Sequence, residues 1–294
     1  MFLSDMCVVS GNYGMVNAYA KINLTLDVTG KRPDGYHDIL TIMRSVNLYD
    51  TVSAELKQDR GIELTTNLSW LPTDSGNIAY RAAEAVIKQT GASCGVKIHI
   101  QKRIPCGAGM GGGSADGAAV IALLNRLLGN KLCDEQLLEI GAKIGADVPF
   151  CLMCGTCVAS GIGEKLEKVD AKGTVPVLIV KPQVSISTAE MYRTLDDCVI
   201  QKRPCTEQMK KALENGNVHD IAANLCNVME PPAILQHSII EDIKKEMISG
   251  GAVGAMMTGS GSAVFGVFDS QKNADMCAWR FIQQYDDVYS VSMI

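Results

Sequence analysis

Residues 16–30, VNAYAKINLTLDVTG, alternate with a period of two. Ala18, Ala20, Ile22, Leu24, Leu26 and Val28 fall on one face, and Tyr19, Lys21, Asn23, Thr25 and Asp27 on the other. That pattern predicts a strand with one buried and one polar face. A turn is expected at Pro33 and Asp34-Gly35, followed by strand-like sequence in TIMRSVNLYDTVSAEL and GIELTTN. NIAYRAAEAVIKQ, from Asn77 to Gln89, reads as a helix closed by Gly91, and GVKIHIQKR as a strand. The stretch from Ser114 to Leu128 is apolar nearly all round, which predicts a buried helix. A second helix starts at Asp134 and stops at Gly145. CLMCGTC then follows a proline and is expected as a strand, with Cys154 facing away from Cys151 and Cys157.

Beyond about residue 165 the rhythm changes. VPVLIV is a strand, 188–248 is mostly helical, two strands surround VGAMMTGSGSAVFGVF, a helix begins at Gln271, and VYSVSMI closes the chain as a strand. Strand, helices, two strands, helix, strand is the split βαβ order of a ferredoxin-like domain. The expected class is α+β, with two domains at 1–165 and 166–294.

Composition narrows the function classes. The chain has 294 residues, 47% of them hydrophobic and 20% charged, with a formal net charge of −5. Such a balance disfavours nucleic acid or an anionic membrane as the main partner. No apolar stretch approaches the roughly 20 residues that span a bilayer, and no signal-peptide pattern opens the sequence, so a cytoplasmic location is expected. Eleven cysteines, an odd number without a secretory segment, are expected as reduced thiols, buried as small hydrophobes rather than holding a metal.

Chemistry concentrates in IPCGAGMGGGSADGAAV, residues 104–120, which places five glycines in the seven positions Gly107–Gly113. Three known glycine loops can be tested against it. A P-loop requires a lysine after its last glycine, whereas Gly113 is followed by Ser114 and Ala115. A dinucleotide fold requires a strand after the helix, whereas another helix follows here. A protein-kinase glycine loop lies between two strands, whereas this one opens a helix. A strand that leads through unobstructed amides into a helix N-terminus still favours an anion, above all a phosphate. A tight helix-packing turn is the structural alternative.

Four separated stretches carry a family resemblance: AYAKINLTLDVTGKRPDGYHDI (18–39), IPCGAGMGGGSADGAAV, GADVPF (145–150) and TGSGSAVFGVF (258–268). With them the sequence resembles the GHMP kinases. The first stretch, with Pro33, Gly35, Tyr36 and His37, resembles the branch acting on diphosphocytidyl-methylerythritol in the non-mevalonate isoprenoid pathway. The resemblance implies a two-domain GHMP kinase fold: an N-terminal, ATP-binding domain like ribosomal protein S5 domain 2, and a ferredoxin-like C-terminal substrate domain. It implies transfer of the γ-phosphoryl of ATP, with Mg2+, to the 2-hydroxyl of that small-molecule acceptor, by a monomer or homodimer. A homoserine- or mevalonate-type kinase, a non-catalytic nucleotide-binding sensor and a dinucleotide-dependent oxidoreductase stand as the competing readings.

The same resemblance assigns residues. Lys21 and Asp147 are the expected catalytic pair, Asp147 orienting the acceptor hydroxyl and accepting its proton late, Lys21 stabilising the developing alkoxide. Without it, Lys21 reads as a solvated strand lysine and Asp147 as a turn-forming side chain. Asn77, Lys102, Pro105, Gly107, Ala108, Gly109, Met110, Gly111, Gly112, Gly113 and Ser114 are expected around ATP. Asn77 and Lys102 read otherwise as a helix cap and a surface charge. Ser114 is expected to cap the helix, contact Mg2+, or both. Asn23, Tyr36, His37, Asp147, Thr188, Gly259 and Gly261 are expected on the acceptor side, with Tyr36 and His37 holding the cytosine. Val228, in CNVME, departs from the family, which more often has an acid there.

Overall fold

The computed structural model describes residues 2–294. The strands are β1 (Val8–Ser10), β2 (Tyr13–Lys31), β3 (His37–Lys57), β4 (Ile62–Thr66), β5 (Gly95–Gln101), β6 (Thr156–Gly161), β7 (Lys165–Lys168), β8 (Val175–Lys181), β9 (Cys226–Asn227), β10 (Gly254–Met257), β11 (Val264–Val267) and β12 (Asp287–Met293). The helices are α1 (Ile78–Thr90), α2 (Gly112–Leu127), α3 (Asp134–Ile144), α4 (Val148–Met153), α5 (Thr188–Asp196), α6 (Thr206–Asn215), α7 (Val218–Ala223), α8 (Glu230–Gln236), α9 (Ile239–Ser249) and α10 (Gln271–Ala278). No helix among the described residues is long and apolar enough to cross a membrane.

The chain forms two compact units built from interleaved segments. The first holds Met1–Ala20, Leu48–Cys106 and Gly111–Gly155; the second holds Lys21–Asn47, Gly107–Met110 and Thr156–Ile294. The boundary expected near residue 165 is a single point along the chain, whereas the compact units alternate between residues 1 and 155 and only Thr156–Ile294 lies wholly in one unit.

In the first unit β5 pairs antiparallel with the end of β3, from Thr51↔Gln101 to Lys57↔Gly95, and parallel with β4. Helix α2 is the core of this unit. Its residues from Ala115 to Asn125 are all buried, as an apolar circumference demands. It can pack closely on α1 because Gly117 has no side chain: a Cβ there would lie 2.6 Å from Ile78 Cγ2. Asn125, the one amide on this buried face, is satisfied by donating to Leu132 O and accepting from Leu132 N, each at 3.0 Å.

In the second unit the strands run β12-β8-β11-β10, all antiparallel. In order of appearance that is 4-1-3-2, the ferredoxin-like arrangement expected from the sequence. Helices α5, α8, α9 and α10 cover it through Met191, Ala233, Ile243, Met247, Ala274 and Cys277. Val228, the departure from the family pattern, is part of this core and 4% exposed. The helical stretch is broken by β9, which pairs parallel with β2 at Thr25↔Cys226 and Leu26↔Asn227.

Two local expectations are corrected. CLMCGTC is not a strand: Cys151 lies in α4, Cys154 ends that helix at φ 52°, and only Cys157 is in β6. Pro149 sits in the first turn of a helix, where its missing N–H costs nothing, so it opens α4 rather than a strand. The polar face of β2 is not solvated either. From Lys21 to Val28 the strand is buried on both sides.

Gly117→Ala should lower stability by about 1–3 kcal/mol through the Ile78 contact. In urea unfolding the Gly117→Ala, Ile78→Ala double variant should lose less than the sum of the single losses. Strict additivity would show that α1 and α2 do not meet through this pair.

Candidate active site

The buried polar face of β2 organises a hydrogen-bonded cluster within the second unit. Lys21, 4% exposed, donates from Nζ to Asn23 Oδ1 at 2.7 Å. Asn23 Nδ2 donates to Thr41 Oγ1 at 2.8 Å, and Thr41 Oγ1 donates to Thr25 O at 2.5 Å. Asn23 N donates to Thr258 Oγ1 at 2.9 Å. A buried ammonium is costly unless hydrogen bonds compensate it, and this ladder fixes its position. Asn23, expected to touch the acceptor, spends its oxygen on Lys21 and one N–H on Thr41.

The glycine loop is tied to the same strand through its backbone. Lys21 N donates to Met110 O at 3.0 Å, and Ala263 N donates to Ala108 O at 3.3 Å. A Cβ on Gly109, whose φ is 75°, would lie 2.3 Å from Thr258 O, and one on Gly259 would lie 2.7 Å from Gly109 O. Thus Gly109 and Gly259 are glycines because two backbones meet. The side chains of Ala108 and Met110 are buried, 2% and 1% exposed, and point to packing rather than to a ligand. Gly107, by contrast, faces open space.

On the side of the first unit the loop becomes α2. Gly111, at φ 69°, takes the N-cap position, and no side chain caps the helix. Ser114 is therefore not the cap the sequence suggested; it lies inside the first turn. The first helical bond is Ala115 N to Gly111 O at 2.8 Å, which leaves the N–H groups of Gly112, Gly113 and Ser114 without an intrahelical acceptor. Such donors and the helix dipole suit a phosphate. Pro105 is buried beneath the start of the loop.

Lys102 is not a surface charge. Its buried ammonium contacts Asp50 Oδ2 and, at 2.6 Å, Asp116 Oδ2. Asp50 Oδ1 also accepts from the backbone N–H groups of Arg103 and Ile104 at 2.5 and 2.8 Å. Gly112 leaves room for the ammonium: a Cβ there would lie 3.5 Å from Lys102 Nζ. Burial opposes the charge on Lys102, but Asp116 and Asp50 outweigh it and raise the ammonium above its ordinary value. Burial, opposed by Lys102 and reinforced by Asp50, pushes Asp116 well above its ordinary 3.8. A proton kept on Asp116 leaves one ammonium facing one carboxylate, and the buried cluster is then neutral. Asp116 Oδ1 has no hydrogen-bond partner among the described residues.

Asp147 is half-buried at the N-cap position of α4, yet its side chain makes no capping hydrogen bond. The carboxylate is thus not a turn-former for its own helix. Asn77 does cap α1, accepting from Ala79 N at 2.9 Å and donating to Pro72 O at 2.8 Å.

The remaining expected residues cluster in the second unit. Tyr36 is 62% exposed at the turn between β2 and β3. His37 Nε2 is 2.7 Å from Asp196 Oδ1, and its ring stacks on Tyr192 with centroids 4.7 Å apart and planes 13° apart. Asp196 Oδ2 is held at 2.6 Å by Lys31 Nζ. Thr188, the first residue of α5, is hydroxyl to hydroxyl with Ser260 at 2.8 Å. Asn227 Nδ2 supports the same turn by donating to Met257 O at 2.9 Å and Gly259 O at 2.8 Å. A Cβ on Gly261 would meet Met257 Sδ at 2.7 Å and Ile186 Cδ1 at 2.9 Å.

Sequence reasoning missed Asp50, Asp116, Thr258, Tyr192, Asp196 and Asn227. The one available signal was Asp116, a carboxylate inside an otherwise apolar helix, where a buried partner is obligatory.

Lys102→Met should cost about 3–5 kcal/mol, because the Asp50 carboxylate is then buried without a cation. Asp116→Asn should change the pH dependence. A carboxyl with a raised folded value contributes stability that is complete below its ordinary value and is lost as pH rises through the folded one. Unfolding of the wild type should therefore become easier relative to Asp116→Asn as pH climbs above 3.8. Parallel stability curves for the two proteins would contradict this protonation.

Comparison with known proteins agrees with this geometry. Residues 77–155 match the GHMP kinases N terminal domain, and 209–283 the GHMP kinases C terminal domain. The chain is 49% identical over 266 residues to 4-diphosphocytidyl-2-C-methyl-D-erythritol kinase of Caldicellulosiruptor saccharolyticus, covering 90% of this chain and 92% of that one. For the Acetivibrio thermocellus protein of that name the figures are 46% over 259 residues, 88% and 91%. A crystal structure of 4-(cytidine 5'-diphospho)-2C-methyl-D-erythritol kinase superposes with a TM-score of 0.81 at 30% identity, covering 95% of this chain and 98% of its own. Homoserine kinase from Cytophaga hutchinsonii, at 20% identity and a TM-score of 0.75, shares the fold, covering 98% of this chain and 96% of its own. The buried strand lysine, the paired glycine turns and these likenesses converge: the chain belongs to the GHMP kinases, and among them to the 4-diphosphocytidyl-2-C-methyl-D-erythritol kinase family.

Proposed function

We propose that the protein transfers the γ-phosphoryl group of ATP to the 2-hydroxyl of 4-diphosphocytidyl-2-C-methyl-D-erythritol, giving the 2-phosphate and ADP in the non-mevalonate route to isoprenoid precursors. The observation that carries this reading is the buried Lys21 ammonium, locked on Asn23 while the backbone N–H of the same residue holds the glycine loop at Met110 O. A cation placed at such cost beside a phosphate-type loop serves phosphoryl transfer, which asks for positioning and charge stabilisation rather than covalent chemistry.

In this reading the acceptor oxygen attacks the γ-phosphorus and the bond to ADP breaks. Asp147 orients the hydroxyl and receives its proton as the new P–O bond forms. Lys21 stabilises the negative charge that develops on the attacking oxygen, and Asn23 positions Lys21. The amides of Gly112, Gly113 and Ser114 receive phosphate oxygens. Gly107, Gly109 and Gly111 keep the approach to them clear, with Ala108, Met110 and Pro105 as its packed support. Asn77, through the start of α1, flanks the nucleotide base. Lys102 acts by fixing the first turn of α2 against β5, since its ammonium is committed to Asp50 and Asp116. Residues 1–165 would thus serve mainly ATP and 166–294 mainly the acceptor. Tyr36 and His37 hold the cytosine, and Thr188 with the Gly259–Gly261 turn lines the acceptor side.

Mg2+ suits this donor set. It binds commonly through phosphates and few protein oxygens, and the Ser114 hydroxyl, which caps no helix, is the protein oxygen that would hold it. When bound, the ion neutralises phosphate charge.

ATP consumption should be stimulated by 4-diphosphocytidyl-2-C-methyl-D-erythritol and not by homoserine, mevalonate or buffer alone. Stimulation by homoserine or mevalonate instead would overturn the acceptor, and none by any acceptor would favour a sensor. Lys21→Met and Asp147→Asn should each lower kcat by at least about 10²-fold with thermal unfolding still cooperative. Wild-type turnover in either variant would remove that residue from the chemistry.

A further inference from the structure

Helix α10, with the helical turns that continue it to Tyr285, carries two apolar faces where a surface helix needs one. The inner face, Ala274, Cys277, Ala278 and Phe281, is buried in the core of the second unit. The outer face holds Met276, Trp279 and Ile282, spaced three apart and 54%, 74% and 50% exposed. Beyond the end of α10, Phe281 N and Ile282 N donate to Ala278 O, and Tyr285 N donates to Phe281 O. The backbone thus stays helical through Ile282, and residues three apart are neighbours on one ridge. Apolar residues exposed singly are ordinary, but a contiguous ridge centred on a tryptophan marks a surface for contact.

Two exposed charges bracket the ridge. Lys272 lies seven residues before Trp279, and Asp286 seven residues after it. Seven residues are about two helical turns, which puts Lys272 on the face of the ridge and Asp286 where the turns run out at its far end. Neither is balanced within the chain. Lys272 makes no ion pair among the described residues, and Asp286 Oδ2 accepts from a neutral amide, Gln183 Nε2, at 2.8 Å. The other charges nearby are committed: Asp275 accepts from Ser290 Oγ at 2.6 Å and Gln271 Nε2 at 3.0 Å, and Arg280 pairs with Glu246 at 2.8 Å. Lys, Met, Trp, Ile and Asp therefore stand in an order that is its own complement when reversed. A two-fold axis through Trp279 lays Met276 on the partner's Ile282 and Lys272 beside the partner's Asp286. We propose that this ridge is the interface of a two-fold homodimer, in which α10 packs antiparallel on its copy about Trp279. Such an isologous contact closes on itself and needs no second surface. A net charge of −5 repels a second copy in general, whereas this face meets it with an uncharged centre and opposite charges at the two ends.

The test is sedimentation of the full-length protein over a range of concentrations, with circular dichroism to show that each variant is folded. The wild type should reach the mass of two chains. Trp279→Ala should raise the dimer dissociation constant by at least about 10²-fold, as the loss of a central tryptophan does at an interface. Lys272→Asp and Asp286→Lys should each raise it about tenfold by setting like charges opposite one another. The double variant Lys272→Asp, Asp286→Lys recreates both pairs with their signs exchanged and should return to the wild-type value. Trp70→Phe leaves Trp279 as the one tryptophan of the chain, and its emission should move to shorter wavelength as the dimer forms. A wild type that stays a single chain at every concentration would overturn the proposal and leave the ridge to a different partner. A dimer that Trp279→Ala does not weaken, or whose assembly leaves the emission of Trp279 unmoved, would place the interface elsewhere and overturn it too. A double variant no better than the single ones would contradict the antiparallel packing about Trp279.

Discussion

The second unit is held together at residues 107–110 by backbone meeting backbone. Met110 O receives Lys21 N, Ala108 O receives Ala263 N, and Gly109 lies so close to the 258–261 turn that neither Gly109 nor Gly259 can carry a side chain. A short stretch of loop thus joins the strand that carries the buried ammonium to the turn that carries Thr258, Gly259 and Ser260. Buried backbone groups must be paired, and here the pairing fixes the loop against β2 at Lys21. The side chains of Ala108 and Met110, buried beneath it, add apolar packing to the same lock.

The second organising constraint is electrostatic. Two ammonium groups, those of Lys21 and Lys102, are buried. Lys21 donates from its ammonium to a neutral amide, Asn23. Lys102 is bonded to Asp50 and Asp116, which turn it into a strut between the end of β5 and α2. Removing one partner of such a buried pair leaves an uncompensated charge, so the pair is retained as a unit.

How much of this the chain discloses in advance follows from the range of each interaction. The ferredoxin-like order was legible, because the switch between period two and helical period is local. So was the glycine loop, whose meaning sharpened by excluding a P-loop lysine and a strand after α2. Alternation along β2 named Lys21, Asn23 and Thr25 as one face, but periodicity cannot say whether a polar face meets water or protein. The partner of His37 lies 159 residues away, and those of Lys102 lie 52 and 14 residues away, beyond any local pattern. CLMCGTC misled for a related reason: Pro149 reads as a break before a strand, whereas its place in the first turn makes it the start of α4.

The tightest consequence of the loop-to-turn contact concerns Gly109, where an added methyl would press on Thr258 O at 2.3 Å. Turnover of Gly109→Ala with 4-diphosphocytidyl-2-C-methyl-D-erythritol, measured beside its circular dichroism and unfolding curve, tests it most directly. A folded variant whose kcat falls by about 10² or more, a loss like that of a misplaced reacting group, is the predicted result. A folded variant that turns over at the wild-type rate would contradict it.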